Sequence, residues 1–178
     1  MAEKLHLYLS RMHALDTSLC LRFNRTSQYR LVRWGFRVVS RLGDGVFWYA
    51  VMLGIVLAQR VDGLLPCLHM LAAGLAGTAV YKAIKAKASR PRPFEMVSGV
   101  SLCTAPLDRF SFPSGHTLHA VAFSAVALGY YPALAWLLVP FTVLVGVSRL
   151  VLGLHYPSDV LAGAAIGALI AKISFALL

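Results

Sequence analysis

The sequence predicts an all-α protein, a polytopic bundle of about six helices embedded in a membrane. Of its 178 residues, 58% are apolar and 13% are charged, and the mean hydropathy is +0.70. Soluble domains are about 45 to 50% apolar and about 25% charged, so this chain has too few polar residues to cover a water-soluble fold. Residues 1–178 have the length of one domain, and we expect a single membrane domain.

Five apolar stretches predict the helices that cross or enter the bilayer. Residues 64–81 contain one ionisable side chain and are followed by lysines, as expected for a spanning helix of about 20 residues. Residues 117–148 contain no Asp, Glu, Lys or Arg, and a Gly-Tyr-Tyr-Pro cluster at 129–132 predicts two antiparallel helices there. Residues 157–178 supply another span, whose small side chains allow close packing on a neighbour. Residues 45–59 form the shortest stretch.

The first 43 residues are predicted to form an amphipathic segment. Arg30, Arg33, Arg37 and Arg41 recur three and four residues apart, which places them on one stripe of a helix whose other sides are apolar. Two placements are compatible with this pattern: the helix lies at the membrane interface on anionic lipid, or it crosses with its arginines turned inward. The cost of arginine at the bilayer centre favours the first.

The balance of charge points to anionic partners. The chain has 17 Lys and Arg residues against 7 Asp and Glu, which gives a formal net charge of +10. The basic residues gather at the ends of apolar runs, so the expected partners are anionic lipid headgroups or a phosphorylated substrate, and not nucleic acid. The cysteines, Cys20, Cys67 and Cys103, are too few and too scattered for a disulfide framework or a zinc cluster, and we expect them to be structural.

The alternation of the spans brings two polar segments to one face of the membrane. If the helix over 64–82 leaves on one side, the chain re-enters from that side near residue 114 and returns to it near residue 151. The loop over 85–113 and the turn over 149–159 therefore meet. Between them these segments and the adjoining helix ends supply three cations, two histidines and a carboxylate: Lys85, Arg92, His116, Arg149, His155 and Asp159.

These residue types predict a phosphate site. The planar guanidinium of Arg can donate two parallel hydrogen bonds to phosphoryl oxygens, and the ammonium group of Lys attracts them as a point charge. The free N–H groups of a helix that begins near Ser114 and Gly115 can also donate to these oxygens. Asp159 follows His155 by four residues, so its carboxylate can fix the tautomer of the imidazole and leave the other nitrogen as a nucleophile. His116 is then placed to protonate the leaving oxygen and to activate water afterwards.

The same residues lie in motifs that resemble those of a known family. The patterns KxxxxxxRP at 85–93, PSGH at 113–116 and SRxxxxxHxxxD at 148–159 resemble the three signature motifs of the type 2 phosphatidic acid phosphatase (PAP2) superfamily. All three are complete, in order and next to apolar helices. The resemblance implies a six-helix membrane bundle and a phosphatase without metal or cofactor. It also implies a lipid substrate such as phosphatidate, phosphatidylglycerol phosphate or a polyprenyl diphosphate, for example undecaprenyl diphosphate.

The resemblance also assigns roles within the catalytic motif region, residues 85–159. It implies that His155 is the nucleophile, Asp159 its partner and His116 the general acid. Arg90 lies beside the first motif, and we expect it to act behind the residues that touch substrate. The positions that resemble the phosphate-binding set are Lys85, Arg92, Ser114, Gly115 and Arg149.

Three other functions are compatible with these residues. A metal hydrolase would use four side chains as zinc ligands, His116, His119, His155 and Asp159, but the neighbouring cations would repel a metal ion. A phosphotransferase would use the same site and pass the phosphoryl group to a lipid in place of water. A non-catalytic lipid-binding or transport protein would need the arginines, but neither the nucleophile nor the acid. The oligomeric state is not indicated by the sequence.

Several other ionisable residues have structural interpretations that we favour over catalytic ones. His69 and His119 lie on apolar helices, where a histidine is more often hydrogen-bonded within the fold, although His119 could line the same site. Asp44 is expected to cap the next helix. Glu95 and Asp108 are expected to be loop charges, either of which could contact substrate.

The side of the membrane is predicted from the positive-inside rule. We expect the arginines of the amino-terminal segment, together with Arg60 and Lys172, on the face opposite the site. Basic residues accumulate on the cytoplasmic side, so that face would be cytoplasmic. The site would then face away from the cytoplasm, in a protein of the inner or plasma membrane.

Overall fold

The fold is built from α-helices, as the sequence predicts. The computed structural model describes residues 2–178, and the side chains of residue 6 and residues 10–178. No strand occurs among residues 2–178. Five apolar helices and the arginine-striped α2 confirm the predicted bundle, and α1 precedes them. The helices are α1 (Ala2–Arg25), α2 (Arg30–Arg41), α3 (Phe47–Gln59), α4 (Leu64–Lys87), α5 (Pro93–Met96), α6 (Gly115–Tyr130), α7 (Ala135–Val151) and α8 (Pro157–Ala176).

Three helical stretches are long and apolar enough to cross a membrane, over 30–87, 132–151 and 157–176. The first of them contains three helices, because the chain bends at Gly45, where φ is 148°, and turns at Arg60, where φ is 53°. The break expected at 129–132 is also present, since α6 and α7 are separated by a short 3-10 turn. The predicted division of the apolar sequence into helices is therefore confirmed.

The central helix of the bundle is α6, which packs on α4, α7 and α8. Gly163 of α8 lies so close to α6 that an added Cβ would stand 2.5 Å from the carbonyl oxygen of Ser114. One turn later, a Cβ at Gly167 would clash with the carbonyl group of Leu118. These contacts confirm that small residues let the last helix pack closely on a neighbour.

The α2 helix continues past the end of α7. Gly43, just after α2, lies against Val145, and Phe36 packs into a cluster with Leu152, which follows the last turn of α7. The earlier residues of α2 therefore extend beyond the apolar span of α7 instead of crossing beside it. This packing favours the interfacial placement of the arginine stripe.

The α1 helix lies against the same end of the bundle. Its buried Asn24 donates to the carbonyl oxygens of Ser101 at 2.9 Å and Val151 at 3.0 Å, and accepts from the Ser101 N–H group at 2.8 Å. The Cys20 thiol lies 4.0 Å from the carbonyl oxygen of His155. Burial raises the pKa of this thiol to about 12. Cys20 is thus a neutral packing residue, and all three cysteines are buried and free of disulfides.

The position of α1 and α2 corrects the expected distribution of charge. Arg37 donates to the carbonyl oxygen of Cys103 at 2.6 Å, so the arginine stripe lies at the site's end of the bundle and not opposite it. The error arose because helix alternation orders the later spans only and does not fix where the first 43 residues lie. Arg60 and Lys172 are left at the other end. The positive-inside rule therefore no longer supports a site that faces away from the cytoplasm.

Candidate active site

Two of the predicted phosphate-binding cations converge on one carboxylate. Lys85 in the last turn of α4 contacts the carboxylate of Asp108, and it donates to the carbonyl oxygen of Phe110 at 2.6 Å. Arg92, which is 2% exposed, donates to the same carboxylate at 2.8 Å and to the carbonyl oxygen of Leu154 at 2.8 Å. Arg92 therefore lies beside the loop that carries the predicted nucleophile.

The Asp108 carboxylate lies between Lys85 and Arg92, at a position where the two cations could bind a phosphate group. The Tyr81 hydroxyl also donates to it. Burial would raise the pKa of this carboxyl, but hydrogen bonds from Lys85 and Tyr81 and the charge of Arg92 hold the pKa of Asp108 below its ordinary value. The sequence suggested a loop charge with an optional role at the site. The structure shows Asp108 as the internal partner of the cationic pair.

A third cation, Arg149, is buried in the last turn of α7. It is 3% exposed, and one of its terminal nitrogens contacts the Ser40 hydroxyl of α2. Its Nε has no hydrogen-bond partner, and the guanidinium forms no ion pair with any side chain that the structure describes. The N–H group of His155 donates to the Arg149 carbonyl oxygen at 3.2 Å, which fixes the two residues side by side. A buried guanidinium without a counter-charge is suited to receive an anion.

The predicted nucleophile, His155, lies between α7 and α8, and Asp159 is in the first turn of α8. His155 Nδ1 is 3.8 Å from Asp159 Oδ2, which is longer than a hydrogen bond. Nδ1 has no other partner among the described residues. Burial, assisted by the charges of Arg149 and Arg92 and opposed by Asp159, lowers the pKa of His155 to about 4. The imidazole is therefore neutral at pH 7, as a nucleophile requires.

The Asp159 carboxylate is fully buried and held by several donors. Its Oδ2 accepts from the Ser111 hydroxyl at 2.7 Å and from the Tyr156 N–H group at 2.8 Å, and its Oδ1 accepts from Arg90 at 2.7 Å. Arg90 also donates to Asp16 of α1 at 2.8 Å. Arg90 thus acts behind the site, as the sequence suggested, while Asp16 and Ser111 were missed. The available signal for Asp16 was an acidic residue within an amino-terminal segment that is rich in arginine.

His116, in the first turn of α6, has a carboxylate partner that the sequence did not predict. Its Nε2 contacts Asp44, which also pairs with Arg41 at 3.6 Å. The capping role expected for Asp44 is wrong, because its carboxylate pairs with His116 and Arg41 and no side-chain cap forms at the start of α3. The bend at Gly45 instead lets α3 lie beside α6 with Asp44 facing the histidine.

Ser114 and Gly115 join α6 to its neighbours. The Ser114 hydroxyl lies 2.9 Å from that of Thr117, and its N–H group donates to the carbonyl oxygen of Asp159 at 3.0 Å. A Cβ at Gly115 would stand 2.7 Å from the Tyr81 ring, so only glycine allows this approach. Beyond Ser114, the first N–H groups of α6 are those that a helix leaves without internal acceptors.

A cavity of about 350 Å³ opens beside His116, between α3, α4 and α6. His119 lines it, with Nδ1 at 2.8 Å from the Gly115 carbonyl oxygen and Nε2 at 3.0 Å from the Thr78 hydroxyl. The remainder of the wall is largely apolar, and its outer members are exposed on the bundle surface, where lipid would lie. These apolar residues are Trp48, Tyr49, Met52, Leu71, Leu75 and Phe123.

Two further predictions concern residues outside the cluster. His69 lies at the opposite end, where Nδ1 is 3.0 Å from the Tyr130 hydroxyl and Nε2 is 2.8 Å from that of Ser174, which confirms its structural role. Glu95 accepts from the Arg92 N–H group at 2.9 Å and so caps α5. Within the described part of the chain, no three His, Cys, Asp or Glu side chains are grouped as metal ligands.

Comparison with known proteins identifies the family. The sequence model of the PAP2 superfamily matches residues 62–178. The chain belongs to the PAP2 superfamily. Undecaprenyl-diphosphatase BcrC of Bacillus subtilis (strain 168) is 32% identical over 130 residues, which are 73% of this chain and 67% of BcrC. The resemblance of the three motifs to this family is thereby confirmed.

Two solved structures share the fold. The crystal structure of Aquifex aeolicus LpxE matches with a TM-score of 0.78 and 26% identity, over 91% of this chain and 95% of LpxE. A transmembrane PAP2 type phosphatidylglycerolphosphate phosphatase from Bacillus subtilis matches in fold, with a TM-score of 0.65 and 23% identity over 94% and 86% of the two chains. The 178-residue chain, a member of the PAP2 superfamily, is therefore an integral membrane lipid phosphatase.

Proposed function

We propose that this PAP2 phosphatase hydrolyses a lipid phosphate through a phosphohistidine intermediate at His155. The observation that carries the proposal is a neutral, buried imidazole beside Asp159, with the unpaired guanidinium of Arg149 adjacent to it. A neutral nitrogen can attack phosphorus, and fixed cations stabilise the charge that grows on the equatorial oxygens. No metal ion and no cofactor is required by this scheme.

The reaction proceeds in two steps. His155 attacks phosphorus through Nε2, because Asp159 lies next to Nδ1. A P–N bond forms, the P–O bond to the lipid breaks, and His116 protonates the departing oxygen. His116 then takes a proton from water, the water oxygen attacks phosphorus, and the P–N bond breaks to release phosphate. The residues proposed to bind the phosphoryl group are Lys85, Arg92, Ser114, Gly115 and Arg149.

We propose a polyprenyl diphosphate, of which undecaprenyl diphosphate is an example, as the substrate. The alternatives are phosphatidate and phosphatidylglycerol phosphate. Two observations support this choice: the similarity to BcrC, which is named an undecaprenyl-diphosphatase, and the cavity beside His116. Its apolar wall opens to the membrane side of the bundle, so that a lipid chain can enter it from the bilayer.

We also propose that residues 1–178 act as one catalytic domain. The family match begins at residue 62, but Asp16 and Asn24 of α1 bond directly to the loops of the site. Because the spans are helices, whereas outer-membrane proteins are closed β-barrels, we propose the inner or plasma membrane as its location.

The covalent step is tested with purified protein and radiolabelled lipid phosphates. After a denaturing quench at alkaline pH, we expect the wild-type protein to carry phosphate that is stable to alkali and labile to acid. His155→Ala should carry none and release no phosphate, while the matched control His69→Ala, a buried histidine far from the site, should keep the phosphoenzyme. Activity should survive EDTA and be inhibited by vanadate, which imitates the five-coordinate phosphorus. Full activity in His155→Ala would overturn the mechanism.

The same site also suits a phosphotransferase, in which a lipid hydroxyl replaces water in the second step. Water needs no pocket of its own, so a hydrolase should release inorganic phosphate from a detergent-solubilised lipid phosphate without a second lipid. Label that appears only on an added lipid acceptor would assign a transferase and leave the phosphohistidine intact. A lipid-binding or transport protein would give neither product.

A further inference from the structure

We propose a second anion-binding site, outside the catalytic cluster, that takes the phosphate of an anionic membrane lipid. A cavity of about 570 Å³ lies between α1, α2 and the loop over 99–103. Its described lining contains no Asp or Glu, and none of the cations Lys85, Arg92 or Arg149 reaches it. Four arginines line it instead, two from each helix: Arg22, Arg25, Arg33 and Arg37.

The charges of these four arginines are not balanced by the protein. Arg37 donates to the carbonyl oxygen of Cys103 at 2.6 Å, and Arg33 lies 3.4 Å from that of Ser27. Carbonyl oxygens orient a guanidinium but do not neutralise it. The ion pairs between described side chains involve other cations, so the four like charges share one cavity without a counter-ion.

The helix dipoles explain only half of this arrangement. Arg22 and Arg25 lie in the last turn of α1, where the negative end of the helix favours cations. Arg33 lies in the first turns of α2, where the positive end of the helix disfavours them. A bound phosphate removes this conflict, because it is attracted to a helix N-terminus and is matched by the guanidinium fork.

The neighbouring face of α2 indicates that the phosphate arrives on a lipid. Leu31, Trp34 and Val38 recur three and four residues apart and are 83%, 65% and 37% exposed. An exposed apolar stripe with tryptophan, next to a cationic stripe, is typical of a helix at the membrane interface. A lipid whose chains lie against this stripe brings its headgroup to the edge of the arginine cavity.

The wall of this cavity is connected to the loop that carries His155. The N–H group of Cys103 donates to the carbonyl oxygen of Leu152 at 3.2 Å, and Asn24 donates to that of Val151 at 3.0 Å. An anion that draws α1, α2 and the loop over 99–103 together therefore stabilises the backbone behind the nucleophile. We expect its binding to raise the thermal stability of the protein.

The test uses the full chain in phosphatidylcholine nanodiscs with increasing fractions of phosphatidylglycerol, a phosphodiester that offers no terminal phosphate to the catalytic site. Native mass spectrometry counts the retained phosphatidylglycerol, and thermal unfolding gives the midpoint. The double variant Arg33→Gln, Arg37→Gln should lose the preference for phosphatidylglycerol by about 30-fold, on the basis of the attraction of two arginines to anionic lipid. It should also lose the rise in midpoint.

A matched pair of exposed arginines outside the cavity and the arginine stripe, Arg11→Gln with Arg60→Gln, removes the same charge and should retain the preference. If the cavity variant fails to fold, Arg22→Gln with Arg25→Gln tests the opposite wall and should give the same loss. An equal loss in the control pair would overturn the proposal in favour of diffuse surface attraction. If the wild-type protein binds inorganic phosphate saturably, loses this binding in the cavity variant and shows no preference for phosphatidylglycerol, the site binds free phosphate and the proposal of a lipid ligand is wrong.

Discussion

The bond network behind Asp159 predicts a measurable effect of a single atom exchange in α1. The Asp16 side chain is 9% exposed, accepts from Arg90 at 2.8 Å and from the Ser158 N–H group at 2.9 Å, and also contacts the Ser158 hydroxyl. In Asp16→Asn the shape is kept, but one acceptor oxygen becomes an NH₂ donor. Either Arg90 or the Ser158 N–H group then loses its acceptor, while Arg90 keeps its 2.7 Å bond to Asp159.

The size of the effect follows from these bonds. Leaving one buried donor without an acceptor costs about 1 to 3 kcal/mol of the free energy of unfolding, which lowers the midpoint of thermal unfolding by about 2 to 12 °C for a chain of this length. If about 1.4 kcal/mol of the loss falls on the transition state, because Arg90 holds Asp159 less firmly, kcat drops about tenfold. KM should be unchanged, since the phosphate-binding cations are not touched.

The assay compares kcat, KM and the unfolding midpoint of Asp16→Asn with those of Asp62→Asn. Asp62 lies in the turn between α3 and α4, at the end of the bundle opposite the site, and its variant should match the wild-type protein in all three. A lowered midpoint with unchanged kcat would show that Asp16 stabilises the fold without positioning Asp159. Unchanged values of both would refute the reasoning altogether.

Three further predictions concern protonation and topology. Because burial lowers the pKa of His155 to about 4, its neutral form persists below the ordinary histidine pKa of 6.5. On the acid side of the profile, kcat/KM should therefore fall only as the pH drops through about 4, and an acid limb near pH 6.5 would contradict this. Asp44→Asn should slow turnover about tenfold for lipids with poor leaving groups and less for good ones, since its carboxylate contacts His116, the proposed proton donor. Equal losses would exclude a role in proton donation. Cysteines introduced at the exposed positions Leu107 and Val61 should react with a membrane-impermeant thiol reagent from opposite sides of the membrane. Labelling of both from the same side would contradict the proposed order of the membrane-spanning helices.

Local patterns predicted much of the fold and the proximity of His155 and Asp159. Hydropathy marks the apolar helices, since each must cover its backbone within lipid. The spacing of His155 and Asp159 predicts that they lie close together, and they are 3.8 Å apart, although His155 precedes α8 and Tyr156 between them has an extended backbone. Lys85 and Arg149 lie at helix ends next to apolar runs and Arg92 precedes the short α5, and the structure places the first and last of these three cations near Asp108 and His155 respectively.

The partners of these residues could not be predicted, because they come from distant parts of the chain. Asp16 lies 142 residues from its partner Ser158, and Asp44 lies 72 residues from His116. No periodicity links such positions, and each contact depends on how α1 and the bend at Gly45 pack on the bundle. The arginine stripe shows the same limit: its spacing predicts a helical face, but only tertiary packing decides at which end of the bundle that face lies.

The glycine contacts between α6 and α8 have a consequence for how lipid composition acts on the enzyme. His116 lies in the first turn of one of these helices and His155 precedes the other, so the gap between the proposed proton donor and the proposed nucleophile depends on the spacing of two backbones. At Gly163 and Gly167 that spacing leaves no room for even a methyl group. Changes in bilayer thickness or lateral pressure can tilt the pair as one body but cannot easily widen it. We therefore expect a change of lipid to alter how fast substrate enters while the rate of the bond-breaking step stays constant.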